Sequence, residues 1–206
     1  MPDDGASRGV VRPARRPLGW HAPGPLPSPP LDRPEIWPRA GEDLCHLAGE
    51  WRILQKLDGH RWSLDDLVTA WFAADLCRDQ PPRRIVDLGC GIGTVLLLLA
   101  WRFPLARCIG VEAQAQSVDL ARRSIAWNGV EGRCEVRHGN LCDPHIVADG
   151  SCVDLVTGTP PYLPVGTAIA SPHTQRAACR VEVRGGLEAY CEAAAPLLEP
   201  GRGFRA

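Results

Sequence analysis

Arg84-Ile85-Val86-Asp87-Leu88-Gly89-Cys90-Gly91-Ile92-Gly93 is the stretch that decides the fold of this chain. Arg84 to Leu88 is short, apolar and partly β-branched, as a strand buried on both faces must be. It runs straight into three glycines at alternate positions, and Thr94 to about Arg102 then reads as a helix. Glycine allows a tight turn and lets the backbone come close to a ligand. A strand-helix turn that holds no ligand would use the same residues, so the neighbours must decide between the two readings.

Downstream, the alternation of strand and helix repeats. Arg107-Cys108-Ile109-Gly110-Val111-Glu112 is a second strand, and Ser117 to Trp127 a second helix, closed by Asn128-Gly129. Cys134 to His138 and Cys152 to Thr157 are a third and a fourth strand. Gly186 to about Leu198 is a last helix, stopped by Pro200-Gly201. Such alternation predicts an α/β fold: a Rossmann-like, doubly wound, mostly parallel sheet with helices on both faces. Glu112 ends the second strand, about twenty residues beyond the turn, where a carboxylate can accept both hydroxyls of a ribose. A dinucleotide fingerprint would need its third glycine at position 94, where Thr94 stands, so a nicotinamide oxidoreductase is the weakest rival.

Upstream, Ser63 is an N-cap, with Asp65 and Asp66 in the first turn of a helix whose apolar residues are Leu64, Leu67, Val68, Trp71, Phe72 and Leu76. Glu50 to Gln55 and a return through His60-Arg61-Trp62, around Asp58-Gly59, predict a hairpin. Before about Gly41 stand ten prolines and no periodic apolar residues, which predicts a disordered tail. The expected division is a tail at 1–41, a hairpin and helix at 42–82, and the core at 83–206.

Hydrophobic residues make up 45% of the 206 and charged residues 23%, enough for a core and a solvated surface. The net charge of -1 offers no global attraction to nucleic acid, so any RNA contact must come from a local patch. Nine cysteines are scattered without metal-ligand spacing, which predicts reduced thiols, no metal site and a reducing compartment. No run approaches the ~20 apolar residues of a membrane span, and residues 1–30 lack the apolar core of a secretory signal. The expected location is cytoplasmic, with organelle targeting left open; the sequence does not fix an oligomeric state.

The Gly-x-Gly-x-Gly turn, with Asp87 two residues before its first glycine, resembles motif I of class I S-adenosylmethionine (SAM)-dependent methyltransferases. Thr159-Pro160-Pro161-Tyr162, directly after the fourth strand, resembles motif IV of the amino-group methyltransferases. That group includes adenine-N6 enzymes of RNA and DNA and the release-factor glutamine-N5 enzymes. The resemblance covers about residues 48 to 200. It implies SAM over Asp87, Gly89, Gly91 and Gly93, with its ribose on Glu112. It also places the adenine by Asn140 and Leu141, where relatives commonly have Asp for Asn140; Asp143 is a nearby substitute, and a simple turn asparagine is the lesser reading of Asn140. The segment from Arg61 to Trp71 resembles the pre-motif helix of tRNA adenine-N6 methyltransferases, and there Asp65 matches the acid that helps close the SAM pocket.

The motif IV residues fit the chemistry that the resemblance implies. An exocyclic amine or amide nitrogen is a poor nucleophile because its lone pair is delocalised. Acceptors at the first motif residue and at the following proline carbonyl hold its N–H groups, and the aromatic residue stacks on the flat substrate. Thr159 stands where Asn is commoner and offers a single hydroxyl. His173, Arg176, Arg180 and Arg184 follow, diluted by Glu182 and Glu188; they suit phosphate contacts or are a solvated run. The resemblance implies a SAM-dependent N-methyltransferase whose leading substrate is adenine N6 in RNA, tRNA-like. A protein glutamine is next, and a non-catalytic SAM- or RNA-binding protein is the rival of another class. Family members have a seven-stranded sheet, so the core is expected to be incomplete at its C-terminus, leaving the fourth strand at an open edge and the chain poorly active by itself.

Overall fold

The computed structural model describes residues 9–29, 32–143, 145–147, 152–160, 186–198 and 204–205. Three strands form a small sheet: β1 (Val10–Val11), β2 (Glu42–His46) and β3 (Arg52–Lys56), in the order β1-β2-β3. Helix α1 (Leu64–Leu76) leads into the main sheet, built from β4 (Arg84–Leu88), β5 (Arg107–Glu112), β6 (Cys134–His138), β7 (Leu155–Gly158) and β8 (Phe204–Arg205). All pairings of that sheet are parallel, in the order β6-β5-β4-β7-β8. Between its strands lie α2 (Thr94–Arg102), α3 (Ala115–Trp127) and α4 (Leu187–Ala194).

Alternation along β4 sorts the two cores. Ile85 joins α1, α2 and α3 in one apolar cluster, whereas Val86 and Leu88 meet Tyr190 and Ala194 of α4 in the other. The predicted doubly wound, parallel architecture is therefore present. The chain builds β5 and β6 on one side of β4 and β7 and β8 on the other. The connection reverses between β4 and β7, where sheets of this kind open a crevice outside their carboxyl ends.

Three expectations need correction. First, the hairpin is formed by β2 and β3, paired from Glu42 with Lys56 to His46 with Arg52; residues 60–62 make no strand. Glu42 and Asp43 are poor strand formers, but each is buried against arginine. Glu42 takes both ends of Arg123 at 2.9 Å, and Asp43 holds Arg12 at 2.9 Å and Arg61 at 3.1 Å. Second, the proline-rich segment follows a defined path from Gly9 to Pro29. Val10–Val11 pair with Asp43 and Leu44, Arg16 reaches Glu50 at 2.8 Å and the Gly49 carbonyl at 2.7 Å, and Gly24 lies against the Trp101 ring. Its prolines hold it extended, and its arginines anchor it to acids and carbonyls of the domain. Third, β7 is not at the sheet edge, because Val156 and Thr157 pair with Phe204 and Arg205 of β8.

Helix α1 has the predicted extent, but its faces are reversed. Only Ala70 and Ala73 are buried, while Leu64 and Trp71 are 69% and 65% exposed. Helix α3, by contrast, is covered on both sides, by the main sheet and by the β2–β3 hairpin. Ser124 Oγ accepts from the Leu54 amide at 2.9 Å, and the Asn128 side chain bonds both the amide and the carbonyl of Arg52. Among the described residues no helix is long and apolar enough to cross a membrane.

Candidate active site

The four carboxyl ends that matter stand in a row: Asn140 after β6, Glu112 on β5, Gly89 after β4 and Thr159 after β7. Gly89, Gly91 and Gly93 have φ of +62°, +56° and +86°, the left-handed region where any side chain is strained. Their surroundings differ. Among the described residues, a Cβ on Gly91 would meet nothing within 4 Å, so they leave the space above it open. A Cβ on Gly93 would lie 3.2 Å from that of Ala121, so this glycine brings α2 and α3 together.

Glu112 is buried at the end of β5 and spans the turn. Its Oε2 accepts from the Gly91 amide at 3.0 Å, and its Oε1 from the Gln114 amide at 2.7 Å. An ionised carboxylate has about four acceptor positions, so both oxygens keep capacity for a further donor. Asp87 is also buried. Thr157 Oγ1 donates to its Oδ1 at 2.9 Å, and its Oδ2 meets no donor in full bonding geometry among the described residues. Burial, reinforced by like charge on Asp66 and Glu112, pushes the Asp87 carboxyl up to about 7.

Asp66, not Asp65, belongs to this group. Asp65 is exposed on the first turn of α1. Asp66 is half-buried, accepts from the Ser63 amide at 2.8 Å, and burial raises its carboxyl from its ordinary value. Successive helix residues differ by about 100° in direction, so the matching of motifs could not choose between neighbours. The capping pattern from Ser63 to Asp66 was the signal that could have.

Asn140 makes a tight turn in which its Oδ1 accepts from the Cys142 amide at 3.0 Å, and Leu141 packs half-buried on the α4-side cluster. Asp143 closes a similar turn on the His145 amide at 2.9 Å. Thr159 and Pro160 are half-buried at the end of β7. Pro161, Tyr162, His173, Arg176, Arg180 and Arg184 lie outside the described residues. Sequence reasoning missed Thr157, which reaches Asp87 across the β4–β7 pair, and Tyr190, which lies beneath the glycine turn.

Residues 85–181 match the family described as a methyltransferase domain. Those residues, a little under half of the chain, are similar to a methyltransferase domain. It is 29% identical over 136 residues to the tRNA1(Val) (adenine(37)-N6)-methyltransferase of Porphyromonas gingivalis, covering 65% of this chain and 52% of that protein. It is 33% identical over 125 residues to the release factor glutamine methyltransferase of Mycobacterium leprae, covering 59% and 41%. The chain thus spans about half the length of the curated relatives it matches. An O-methyltransferase of Bacillus cereus, solved with S-adenosylhomocysteine, shares the methyltransferase fold: TM-score 0.51, 22% identity, 72% of this chain and 58% of that one.

Proposed function

We propose that this chain is a SAM-dependent methyltransferase that acts on an exocyclic amino or amide nitrogen, with adenine N6 in RNA, tRNA-like, as its leading substrate. The observation that carries the reading is the position of Thr159-Pro160 at the β4–β7 crevice, one strand from the glycine turn. The similarity to a tRNA adenine-N6 methyltransferase supports RNA. The similarity to a glutamine methyltransferase keeps a protein amide as the second reading.

The donor set fits the cofactor. Open space over Gly91 leaves room for the methionine part, and the buried Oδ2 of Asp87 suits its ammonium group. Glu112 would take the ribose hydroxyls with its remaining acceptor positions, Leu141 would pack on the adenine, and Asn140 would accept from its amino group. When bound, SAM supplies an electrophilic methyl on a sulfonium sulfur.

The chain's own part is positioning and electrostatics. The Thr159 hydroxyl and the Pro160 carbonyl accept the two N–H groups of the target, drawing its lone pair out of the π system and toward the methyl. Tyr162 stacks on the flat face of the substrate. The target nitrogen would take the methyl that SAM supplies and would give up one N–H proton to water.

Transfer of tritium from labelled SAM into total RNA and total protein tests the reading. RNA should be labelled, and Tyr162→Ala should remove the label while calorimetric SAM binding persists. Label in protein alone would favour the amide substrate, and none in either would favour a non-catalytic binding protein. Gly91→Val places a side chain in the open space and should abolish SAM binding with the fold intact; an unchanged affinity would sink the cofactor assignment.

A further inference from the structure

Gly158, the last residue of β7, is not in the left-handed region. Its backbone would accept any residue, so the reason for glycine must lie in its surroundings. A Cβ at this position would lie 2.6 Å from Cδ1 and 3.0 Å from Cε1 of Tyr190, closer than a real Cβ can approach a ring that is itself packed. The same ring continues toward the cofactor turn. A Cβ on Gly89 would lie 2.1 Å from the Tyr190 hydroxyl oxygen and 3.0 Å from Cζ. One edge of one phenol therefore lies along the carboxyl ends of both β4 and β7, which are in register through Leu88 and Gly158.

Tyr190 is 6% exposed and cannot swing away freely. The ring shares one apolar cluster with Val86, Leu88 and Val156, and the turn after its helix is held where the Val153 amide donates to the Leu197 carbonyl at 2.9 Å. A rigid planar group thus fills the gap between the turn over which the cofactor is proposed to lie and the strand end that delivers Thr159 and Pro160.

We infer that Tyr190 is a positioning residue that couples these two sites by fixing the distance between Gly89 and the Gly158-Thr159-Pro160 segment. The inference rests on the cofactor and amine sites proposed above. A misplacement of about 1 Å between reacting groups costs on the order of a hundredfold in rate, so such a spacer acts on transfer more than on cofactor affinity.

The test uses the full chain with Tyr190→Leu, which removes both ring contacts, and Tyr190→Phe, which keeps the edge along Gly158. Hydrogen exchange is followed on peptides covering 89–93 and 157–160, with and without SAM. In the natural protein, SAM should slow exchange in both peptides, by about tenfold in the second. In Tyr190→Leu, protection should stay in the first peptide and disappear from the second, and Tyr190→Phe should restore it. In the transfer assay, Tyr190→Leu should lower kcat about a hundredfold with KM for SAM within about threefold, and Tyr190→Phe should recover most of the loss.

Equal protection of 157–160 in all three proteins would overturn the inference. So would a fall in SAM affinity that parallels the fall in folded protein, or a failure of SAM to protect either peptide in the natural chain. Coupled protection in a protein that transfers no methyl would uphold the coupling and overturn the amine-site reading alone.

Discussion

Helices α1 and α2 are both rich in apolar residues and pack against each other, yet water meets them very differently. Every residue of α2 from Thr94 to Ala100 is buried. In α1 the buried residues are two alanines, and Leu64, Leu67, Val68, Trp71, Phe72 and Leu76 are exposed. Helix α2 lies over β4 and β5, with α1 and the strap around Gly24 as further cover. Helix α1 lies outside α2 and, among the described residues, meets the main sheet chiefly at β7. Apolar periodicity says that a helix has a face to bury; its place in the layers says which face is buried.

The largest expected effect lies in α2. Leu97→Ala should cost about 2–5 kcal/mol, because the side chain is fully buried and its loss leaves a cavity. Denaturant unfolding would measure it, and a cost under about 1 kcal/mol would erase the distinction between the helices. Next comes the strap. Removing residues 1–30 takes Arg12 from the buried Asp43 and uncovers Trp101, and should lower stability by about 1–3 kcal/mol. An unchanged melting temperature would restore the expectation of a loose tail.

The third prediction concerns Asp87, at the junction of the two helices. Its carboxyl holds a proton in the native state up to about 7, from an ordinary value of 3.8. The unfolded chain gives that proton up earlier, so stability should fall as pH rises from about 4 to about 7 and level off above. Burial tends to raise Glu42 and Asp43, but their arginine partners outweigh it and hold both low. Their contribution is present above the ordinary carboxylate range and lost as pH falls below it, so a scan between pH 5 and pH 7 leaves them out; there Asp66, also raised by burial, adds to the fall, and His46, lowered by burial, opposes it. Asp87→Asn should flatten that slope, and an equal slope in the variant would assign the titration elsewhere. The smallest effect should be that of Trp71→Ala, within about 1 kcal/mol, because this ring is mostly in water already. A loss comparable to that of Leu97→Ala would show that something covers α1 in solution.

The glycine turn, the four strands around it and the acid at Glu112 were legible because each depends on local rules: a buried run, a φ that only glycine adopts, a carboxylate at a strand end. What was not legible depends on partners far along the chain. Glu42 is in a strand because Arg123 meets it there, and no local pattern at residue 42 announces that arginine. The hairpin was accordingly placed several residues too late. Gly158 reads as an ordinary loop glycine until Tyr190 is seen against it. The proline-rich strap was misjudged because composition records what a segment cannot bury by itself, and not what arginine anchors can hold in place.

That strap has a consequence for the order of events during synthesis. Gly24 lies against Trp101, and Ser28 against Gly129. Ser28 leaves the ribosome roughly a hundred residues before the partner it packs on, which at about 5–20 residues per second is a wait on the order of 5 to 20 seconds. Val10–Val11 are needed to complete the small sheet but have no strand to join until β2 has been made. The strap is therefore made well before the residues it packs against, and its placement waits on them.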